Sequence, residues 1–481
     1  MNNSISILNT MKIKNILPAA FLLSGLSNAT LSAQQKPNII HIIIDDVGWD
    51  DLGCYGAPKI KTPNLDKLTS QGIQFSNFYA PHSTSTPSRA AILTGRYAPR
   101  VNDGTGLTVL FPNSKTGLDP QKEICLPRIL KEQGYISAVI GKWHLGHLPK
   151  FLPTSQGFDS YLGIPYPNDM GEERRFGLTN VWGKLPPLPL IKDTTAIKTC
   201  DKYQLAELPQ LFLREVIDFL AYRKQDNKPF YLHWANIETH TPWFVPKGFE
   251  DRSKDGAYGD AVEYLDFSVG VLMEALKELG MEKNTLIVVS SDNGNITKSE
   301  LAIEMAYGKY ATYDTTRVHT LREGKGQCRY DGGTRVSCIM RWPDVIPAKS
   351  KCDEIATGAD LFTTFVDIAG GKIPTDRVID GKDVLELMKG TPGVTIHNYF
   401  PEYEGNGMMM SIRKGKWKLA VPSKRTWSIA ALDTYKLYDV SKDMGEKKDV
   451  SAKNPKVVGE LKDLAARVDL AMKNNQPLPE K

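Results

Sequence analysis

Asn38-Ile39-Ile40-His41-Ile42-Ile43-Ile44-Asp45-Asp46 is a nearly unbroken β-branched run that stops at two carboxylates. A run of that length without polar alternation fits a strand buried on both faces, as parallel sheets provide. In an open α/β sheet, the carboxyl ends of parallel strands are where ligands bind. Two adjacent buried carboxylates repel each other unless a cation lies between them. Asp45 and Asp46 directly abut the apolar strand and so read as a cation site. Asp50 and Asp51, a few residues on, read as a solvated acidic turn.

Outward from this run the pattern of strand, loop and helix repeats. Thr62-Pro63-Asn64 opens a helix, with Thr62 as N-cap and Pro63 at the first helical position. Ile73 to Tyr79 alternates as a strand. Leu126 to Gln133 is a short helix stopped by Gly134. Ile136 to Ile140, Phe230 to Ala235, Thr285 to Ser290 and Val336 to Trp342 are further strands. Leu208 to Lys224 and Tyr258 to Leu279 are amphipathic helices. This alternation predicts an α/β fold with a large, mostly parallel central sheet flanked by helices. Pro149 to Lys202 and Asn295 to Gln327 lack periodicity and read as functional loops roofing a pocket. Near residue 390 the character changes to short strands with charged turns (411–413, 417–421 and 436–439). A helix opened by Asn454-Pro455 follows, running to about Met472. The expected organisation is therefore a catalytic α/β domain over 36–390 and a small antiparallel sheet with one helix over 391–481.

The 481 residues are 41% apolar and 24% charged, an ordinary globular composition. Net charge is +5, or +3 once Lys12 and Lys14 are set aside (58 basic against 55 acidic residues), too little to argue for nucleic acid. Those two lysines, the apolar run Ile16 to Leu23 and Leu31-Ser32-Ala33 read as an export signal over 1–33. Its apolar core is too short to span a bilayer, and no cysteine follows it to carry lipid. The expectation is a periplasmic or secreted protein with no stable membrane anchor. The six cysteines form no CxxC pair, which argues against a zinc ribbon. Cys328, Cys338 and Cys352 are near enough in sequence to invite a disulfide; free buried thiols are the equal alternative.

Ser290-Ser291-Asp292-Asn293-Gly294 closes a later strand. Taken alone it is a tight turn. Strand ends of one sheet converge on one edge, however, so Asp45, Asp46, Asp292 and Asn293 can meet as an all-oxygen site. Hard oxygen donors favour calcium or magnesium over zinc, and four protein ligands suit the larger shell of calcium. A third element is His82-Ser83-Thr84-Ser85-Thr86-Pro87-Ser88-Arg89. Pro87 early in a helical run puts Ser85 at or near the N-cap. There a nucleophile faces free backbone N–H groups and the positive end of the helix dipole.

Ser85-Thr86-Pro87-Ser88-Arg89 followed by Leu93-Thr94-Gly95-Arg96 resembles the signature of type I sulfatases in its serine form. Also in family order are Asp45-Asp46, Gly141-Lys142-Trp143-His144-Leu145-Gly146, Thr239-His240-Thr241-Pro242, Ser-Asp-Asn-Gly and Gly324-Lys325-Gly326. The resemblance runs from about Pro37 to the Lys-Leu-Tyr-Asp segment near the C-terminus. It implies the alkaline phosphatase superfamily fold and conversion of Ser85 to Cα-formylglycine by a sulfatase-maturating enzyme. The hydrated aldehyde would attack sulfur with one hydroxyl and use the other to expel sulfate. The resemblance assigns Asp45, Asp46, residue 85, Asp292 and Asn293 to Ca2+. It gives Arg89 to the formylglycine, Lys142 and Lys325 to the sulfate, His144 to a formylglycine hydroxyl and His240 to the leaving-group oxygen.

Leu162 to Asp169 resembles the branch of arylsulfatase A and the galactosamine sulfatases. That branch implies a sulfated carbohydrate substrate, galactose or N-acetylgalactosamine carrying 4- or 6-sulfate. Pro167 stands where that branch has a sulfate-contacting serine, so that contact is lost or replaced. Asn168 and Asp169 are candidate sugar-hydroxyl readers. Arylsulfatase action is the near alternative, and phosphonate or phosphodiester hydrolysis shares the fold. Two-zinc phosphatases, however, use several histidines and an Asp-His pair, where this chain has Asp292-Asn293 and eight histidines in all. A non-catalytic binder of sulfated glycans would not need Ser85 within a full modification signature.

Overall fold

In the computed structural model, which describes residues 36–171, 186–200, 202–296, 319–405, 407–426 and 429–480, the isoleucine run forms β1 (Asn38–Ile44), buried at every position. Ile40, Ile42 and Ile44 face one core, with Leu213, Val216 and Leu220 of one helix and Val262, Leu265 and Val269 of another. Ile39 faces the opposite core, with Ala90, Leu130, Phe362 and Phe365. Burying each such side chain contributes about 1.5–3 kcal/mol, so a strand apolar on both sides requires helices on both sides.

The further strands of this sheet are β2 (Ile73–Tyr79), β3 (Ile136–Lys142), β4 (Ser160–Ile164), β5 (Leu188–Lys192), β6 (Thr195–Cys200), β7 (Phe230–Ala235), β8 (Thr285–Ser291), β9 (Arg335–Arg341), β10 (Ser350–Cys352) and β11 (Ala356–Thr357). The spatial order is β10-β2-β9-β8-β1-β7-β3-β4-β5-β6, and β11 also pairs with β2. The block β8-β1-β7-β3-β4 is parallel throughout. β9 runs antiparallel to both β8 and β2, and β5 and β6 form an antiparallel hairpin at the far edge. The covering helices include α1 (Pro63–Ser70), α2 (Ser85–Thr94), α3 (Leu126–Glu132), α4 (Lys202–Asp226), α5 (Gly256–Glu278) and α6 (Asp360–Ile368). After the short α7 (Leu385–Met388) comes a second, antiparallel sheet. It consists of β12 (Phe400–Tyr403), β13 (Met409–Lys414), β14 (Trp417–Ala420) and β15 (Lys436–Asp439), backed by α8 (Pro455–Lys473). The expected α/β architecture, with its small second sheet, is what the chain forms.

Several local expectations need correction. Pro149 to Lys202 is not one long loop, because β4 and the β5–β6 hairpin lie within it. Pro189 interrupts the apolar pattern there but lies beyond Ile191 and Lys192, the residues at which β5 pairs with β4, so its missing N–H breaks no ladder bond on that side. Thr62 stands at the N-cap of α1 as expected, but its side chain makes no capping bond; its hydroxyl accepts from Gly53 N at 2.8 Å and donates to Asp66 at 3.1 Å. Asp51 is not solvated. It is fully buried, accepts from Gly48 N at 2.7 Å and is bonded by the Tyr258 hydroxyl. All six cysteines are free. Cys338 and Cys352 flank Phe75 from the strands on either side, so a whole strand separates them. The export-signal segment and residues 297–318 of the second expected loop lie outside the described residues.

Candidate active site

Four neighbouring parallel strands, β8-β1-β7-β3, carry the chemistry at or just beyond their carboxyl ends. Register pairs Ile43 of β1 with Ser290 of β8 and Ala235 of β7, and Ala235 with Gly141 of β3. The residues that follow therefore emerge together: Asp45-Asp46, Asp292-Asn293, Lys142 with His144, and the 236–242 loop with His240. Gly141 is required at its position. Its φ is 109°, and a Cβ there would fall 1.8 Å from Ala235 O. Asp46 and His144 both hold left-handed backbone near φ 60°, strain that persists only where the surroundings over-determine it.

Ser85 opens α2 as its first helical residue and is 2% exposed. Its Oγ lies 3.4 Å from Asp45 Oδ1, 3.3 Å from Asn293 Oδ1 and 3.3 Å from Lys142 Nζ. One turn on, Arg89 donates from Nε to Asp292 Oδ2 at 2.9 Å and from Nη1 to Lys142 O at 3.3 Å. Lys142 Nζ contacts Asp45 Oδ2 at 2.6 Å, and Lys325 Nζ contacts Asp46 Oδ2 at 2.6 Å. Lys325 also reaches His240 Nε2 at 3.0 Å. His240 Nδ1 donates to Thr241 O at 2.7 Å, which leaves Nε2 facing the ammonium and the Asp46 carboxylate 3.5 Å away. His144 Nε2 donates to Leu110 O at 3.0 Å, and its buried Nδ1 has no partner.

Three buried carboxylates thus face three cations. Burial alone would push the Asp45 carboxyl up, but Lys142, His240 and Arg89 outweigh it and hold it at about 2. Asp46 is likewise held low against burial, chiefly by Lys325 and His240. Burial lowers Lys142 despite Asp45, whereas Asp46 and Asp45 raise Lys325 against its own burial. Burial and the Lys142 charge keep the His144 imidazole neutral.

Asp45 and Asp46 bring carboxylate oxygens within 4.8 Å of each other and of a His240 nitrogen. Lys325 already engages that nitrogen. The remaining donors, on Asp45, Asp46, Asp292, Asn293 and Ser85, are all oxygens, and the buried Arg89 Nη2 beside them has no hydrogen-bond partner. This donor set fits a hard cation.

Asn168 lies apart from these groups, in the turn Asn168–Met170. Its Nδ2 donates to His240 O at 3.1 Å and Pro242 O at 3.0 Å, so it ties down the loop that carries His240; its Oδ1 is buried without a partner. Asp169 Oδ1 is buried and unpartnered as well. Two hydroxyls escaped the sequence reading. Thr86 donates to His144 O at 3.0 Å and accepts from Leu110 N at 3.2 Å, and Thr239 bonds Asp45 O. Thr86 lies inside the signature string, but a threonine there carries no sign of which carbonyl it reaches.

A family model described as sulfatase matches residues 37–371. The chain belongs to the sulfatase family. A second model, described as the C-terminal part of N-sulphoglucosamine sulphohydrolase, matches 326–471 of this sulfatase. Rat N-acetylgalactosamine-6-sulfatase is 36% identical over 408 residues, covering 82% of this chain and 74% of that one. Human arylsulfatase A is 36% identical over 483 residues, covering 92% and 90%. A solved protein reported under the metabolism of multiple glycosaminoglycans by Bacteroides thetaiotaomicron has a TM-score of 0.75. It is 29% identical and covers 91% of this chain and 100% of its own. The sulfatase is thus a sulfuric ester hydrolase on the alkaline phosphatase-like fold, and its family implies a formylglycine and a metal site.

Proposed function

We propose that the protein is an exported carbohydrate sulfatase acting on 4- or 6-sulfated galactose or N-acetylgalactosamine, with Ser85 converted to formylglycine and Ca2+ held by Asp45, Asp46, Ser85, Asp292 and Asn293. The observation that carries this is the setting of Ser85. It is a buried residue on a helix N-terminus, ringed by carboxylate and amide oxygens, with Lys142 at hydrogen-bond distance.

As an aldehyde hydrate, residue 85 supplies one hydroxyl for attack on sulfur and a second for release of sulfate. Calcium, when bound, supplies positive charge beside that residue and the sulfuryl oxygens. The chain's own residues do the remainder. Lys142 and Lys325 carry fixed ammonium charge toward the ester oxygens, in a buried site where such charges act strongly. Three carboxylates against three cations leave the site neutral. A divalent cation and the doubly charged sulfate product would again balance, whereas the ester substrate carries a single negative charge. Arg89 holds Asp292 and fixes the first turn of α2. Neutral His144 turns a free Nδ1 lone pair to the interior, able to accept a proton from a residue-85 hydroxyl. In its imidazolium form, with Nδ1–H held on Thr241 O, His240 can hand its Nε2 proton to the departing sugar oxygen.

The sugar class rests on the named relatives and on the Leu162–Asp169 branch pattern. Asn168 and Asp169 remain the proposed readers of the sugar, with Asn168 also holding the His240 loop. Export rests on the 1–33 pattern, and among the described residues no helix is long and apolar enough to cross a membrane. Maturation requires a sulfatase-maturating partner. The 36–390 and 391–481 division is proposed as the domain organisation. Sulfate release from N-acetylgalactosamine 6-sulfate, its 4-sulfate, the matching galactose sulfates and an activated aryl sulfate tests the reading. Turnover of the aryl ester alone would replace the carbohydrate assignment with an arylsulfatase.

A further inference from the structure

Lys418 is a buried lysine far from Ser85 in sequence, on β14 of the small sheet. Its Nζ lies 2.7 Å from Asp331 Oδ1, 2.7 Å from Glu402 Oε2 and 3.6 Å from Glu446 Oε1. One cation thus joins three buried carboxylates. Removing it would leave Asp331 with Arg335 at 3.3 Å but Glu402 and Glu446 with no cation among the described residues, the costly way to break a buried pair. A lysine so placed can simply glue two sheets together. What its carboxylates hold, however, leads into the active site.

Asp331 opens the tight turn Asp331–Gly333, and its backbone N–H donates to Glu446 Oε2 at 2.7 Å. That turn is wedged between two catalytic segments. On one side, Gly294, which follows Asp292-Asn293, donates to Gly333 O at 2.9 Å. A Cβ on Gly294 would fall 1.8 Å from Gly332 O. On the other side, Gly332 N donates to Arg322 O at 3.0 Å, and a Cβ on Gly333 would fall 1.9 Å from Gln327 O. Arg322 and Gln327 bracket Lys325. Glu446 grips the same loop from outside, its carbonyl accepting Arg322 Nη1 at 3.0 Å. Within the loop, Lys325 N donates to Asn295 O and Gly326 N to Ser83 O, each at 2.7 Å.

We infer that Lys418 is a positioning residue for Lys325: through Asp331 and Glu446 it fixes the Asp331–Gly333 turn, and that turn fixes the loop that holds the Lys325 ammonium on Asp46 and His240. The small sheet is on this account a working part of the sulfate grip. The inference rests on the proposed role of Lys325 toward sulfate.

The test is a double-mutant cycle on the full-length, matured enzyme with an activated aryl sulfate. Lys418→Met is expected to lower kcat/KM about tenfold or more in the parent, but less than about twofold in a Lys325→Ala background, because the two changes act on one group. Leu437→Ala, in the core of the same sheet, is the control: it lowers Tm and leaves kcat/KM within about twofold of the parent. Equal losses from Lys418→Met in both backgrounds, or a loss no greater than the control's at matched stability, would overturn the inference. If Lys418→Met does not fold, Asp331→Asn replaces it, since Lys418 then keeps Glu402. Amide hydrogen exchange reads the same point without activity. The Lys325 and Gly326 amides should exchange about tenfold faster in the variant, with β1 and β8 unchanged. Unchanged exchange at those two amides refutes the positioning role. A parent inactive on every sulfate ester would refute the functional reading instead, and leave the exchange result to decide this one.

Discussion

Asp292→Ala separates what the carboxylate does for the fold from what it does for the cation. Asp292 and Arg89 are both fully buried, and their contact is 2.9 Å. Removing one partner of such a pair typically costs about 3–5 kcal/mol. Asp45 stays 3.5 Å from Arg89 Nη2, so the lower end, about 3 kcal/mol, is the expectation here. The proposed calcium would add a second, separable effect. At a calcium concentration one hundred times its Kd, the parent gains about 2.7 kcal/mol of stability, because only the folded state assembles the site. The variant loses one of the charged oxygens and should gain little. The assay is thermal unfolding with chelator and with calcium. In a chain of this length each kcal/mol moves Tm by roughly 1–2 °C. The parent should therefore melt several degrees higher with calcium, whereas the variant melts lower throughout and shows almost no calcium response. Turnover of an aryl sulfate should fall by at least about a hundredfold, as when a preorganised electrostatic group is lost. An undiminished calcium shift in Asp292→Ala would refute the ligand assignment. A stability unchanged in chelator would refute the buried pair.

Glu238 is a fully buried carboxyl in the His240 loop, and burial raises it to about 7, against backbone and Asn236 hydrogen bonds that lower it. The folded state therefore holds a proton that the unfolded chain releases near pH 4.5. That stability is fully present below pH 4.5 and is lost as pH rises through 7, about 3 kcal/mol in all. Glu238→Gln should abolish this slope and leave the variant more stable than the parent at pH 8; parallel urea-unfolding profiles from pH 5 to 8 would contradict it. Asp169→Ala should alter the preference between galactose and N-acetylgalactosamine sulfates more than the rate on an aryl sulfate, and equal losses on both count against a sugar-reading role. Thr86→Val should lower kcat about tenfold with little change in KM, since it releases the His144 backbone and leaves Lys142 and Lys325 in place; a rise in KM alone would mean that His144 is held by other means.

Much of the site was legible because its residues stand at strand ends. The isoleucine run announced a buried strand, and the carboxylates after it could only emerge at the sheet edge. The same logic placed Asp292 and Asn293, and the structure brings Asp45 and Asn293 to Ser85, with Asp46 on Asn293 and Asp292 on Arg89. Direction was not legible. Val336 to Arg341 is buried whichever way it runs, so nothing in its composition showed β9 to be antiparallel. The β5–β6 hairpin was hidden by Pro189 and by its edge position, where β6 is exposed at every residue but Cys200. Asp51 looked solvated because an aspartate after Trp49-Asp50 gives no sign of the tyrosine hydroxyl that reaches it from α5. Lys418 carried no signal at all: among many surface lysines, only the fold shows which one is buried against three carboxylates. Lys142 and His144 could be named from a family pattern, but their roles depend on contacts with Asp45, Thr86 and Leu110 that lie far away in sequence.

The central claim is that residue 85 is the nucleophile in oxidised form. Mass spectrometry of the tryptic peptide ending at Arg89, from protein purified from its native host, tests it directly. The expected peptide is lighter by two hydrogens, with the change localised to residue 85. An intact serine in active native protein would contradict it.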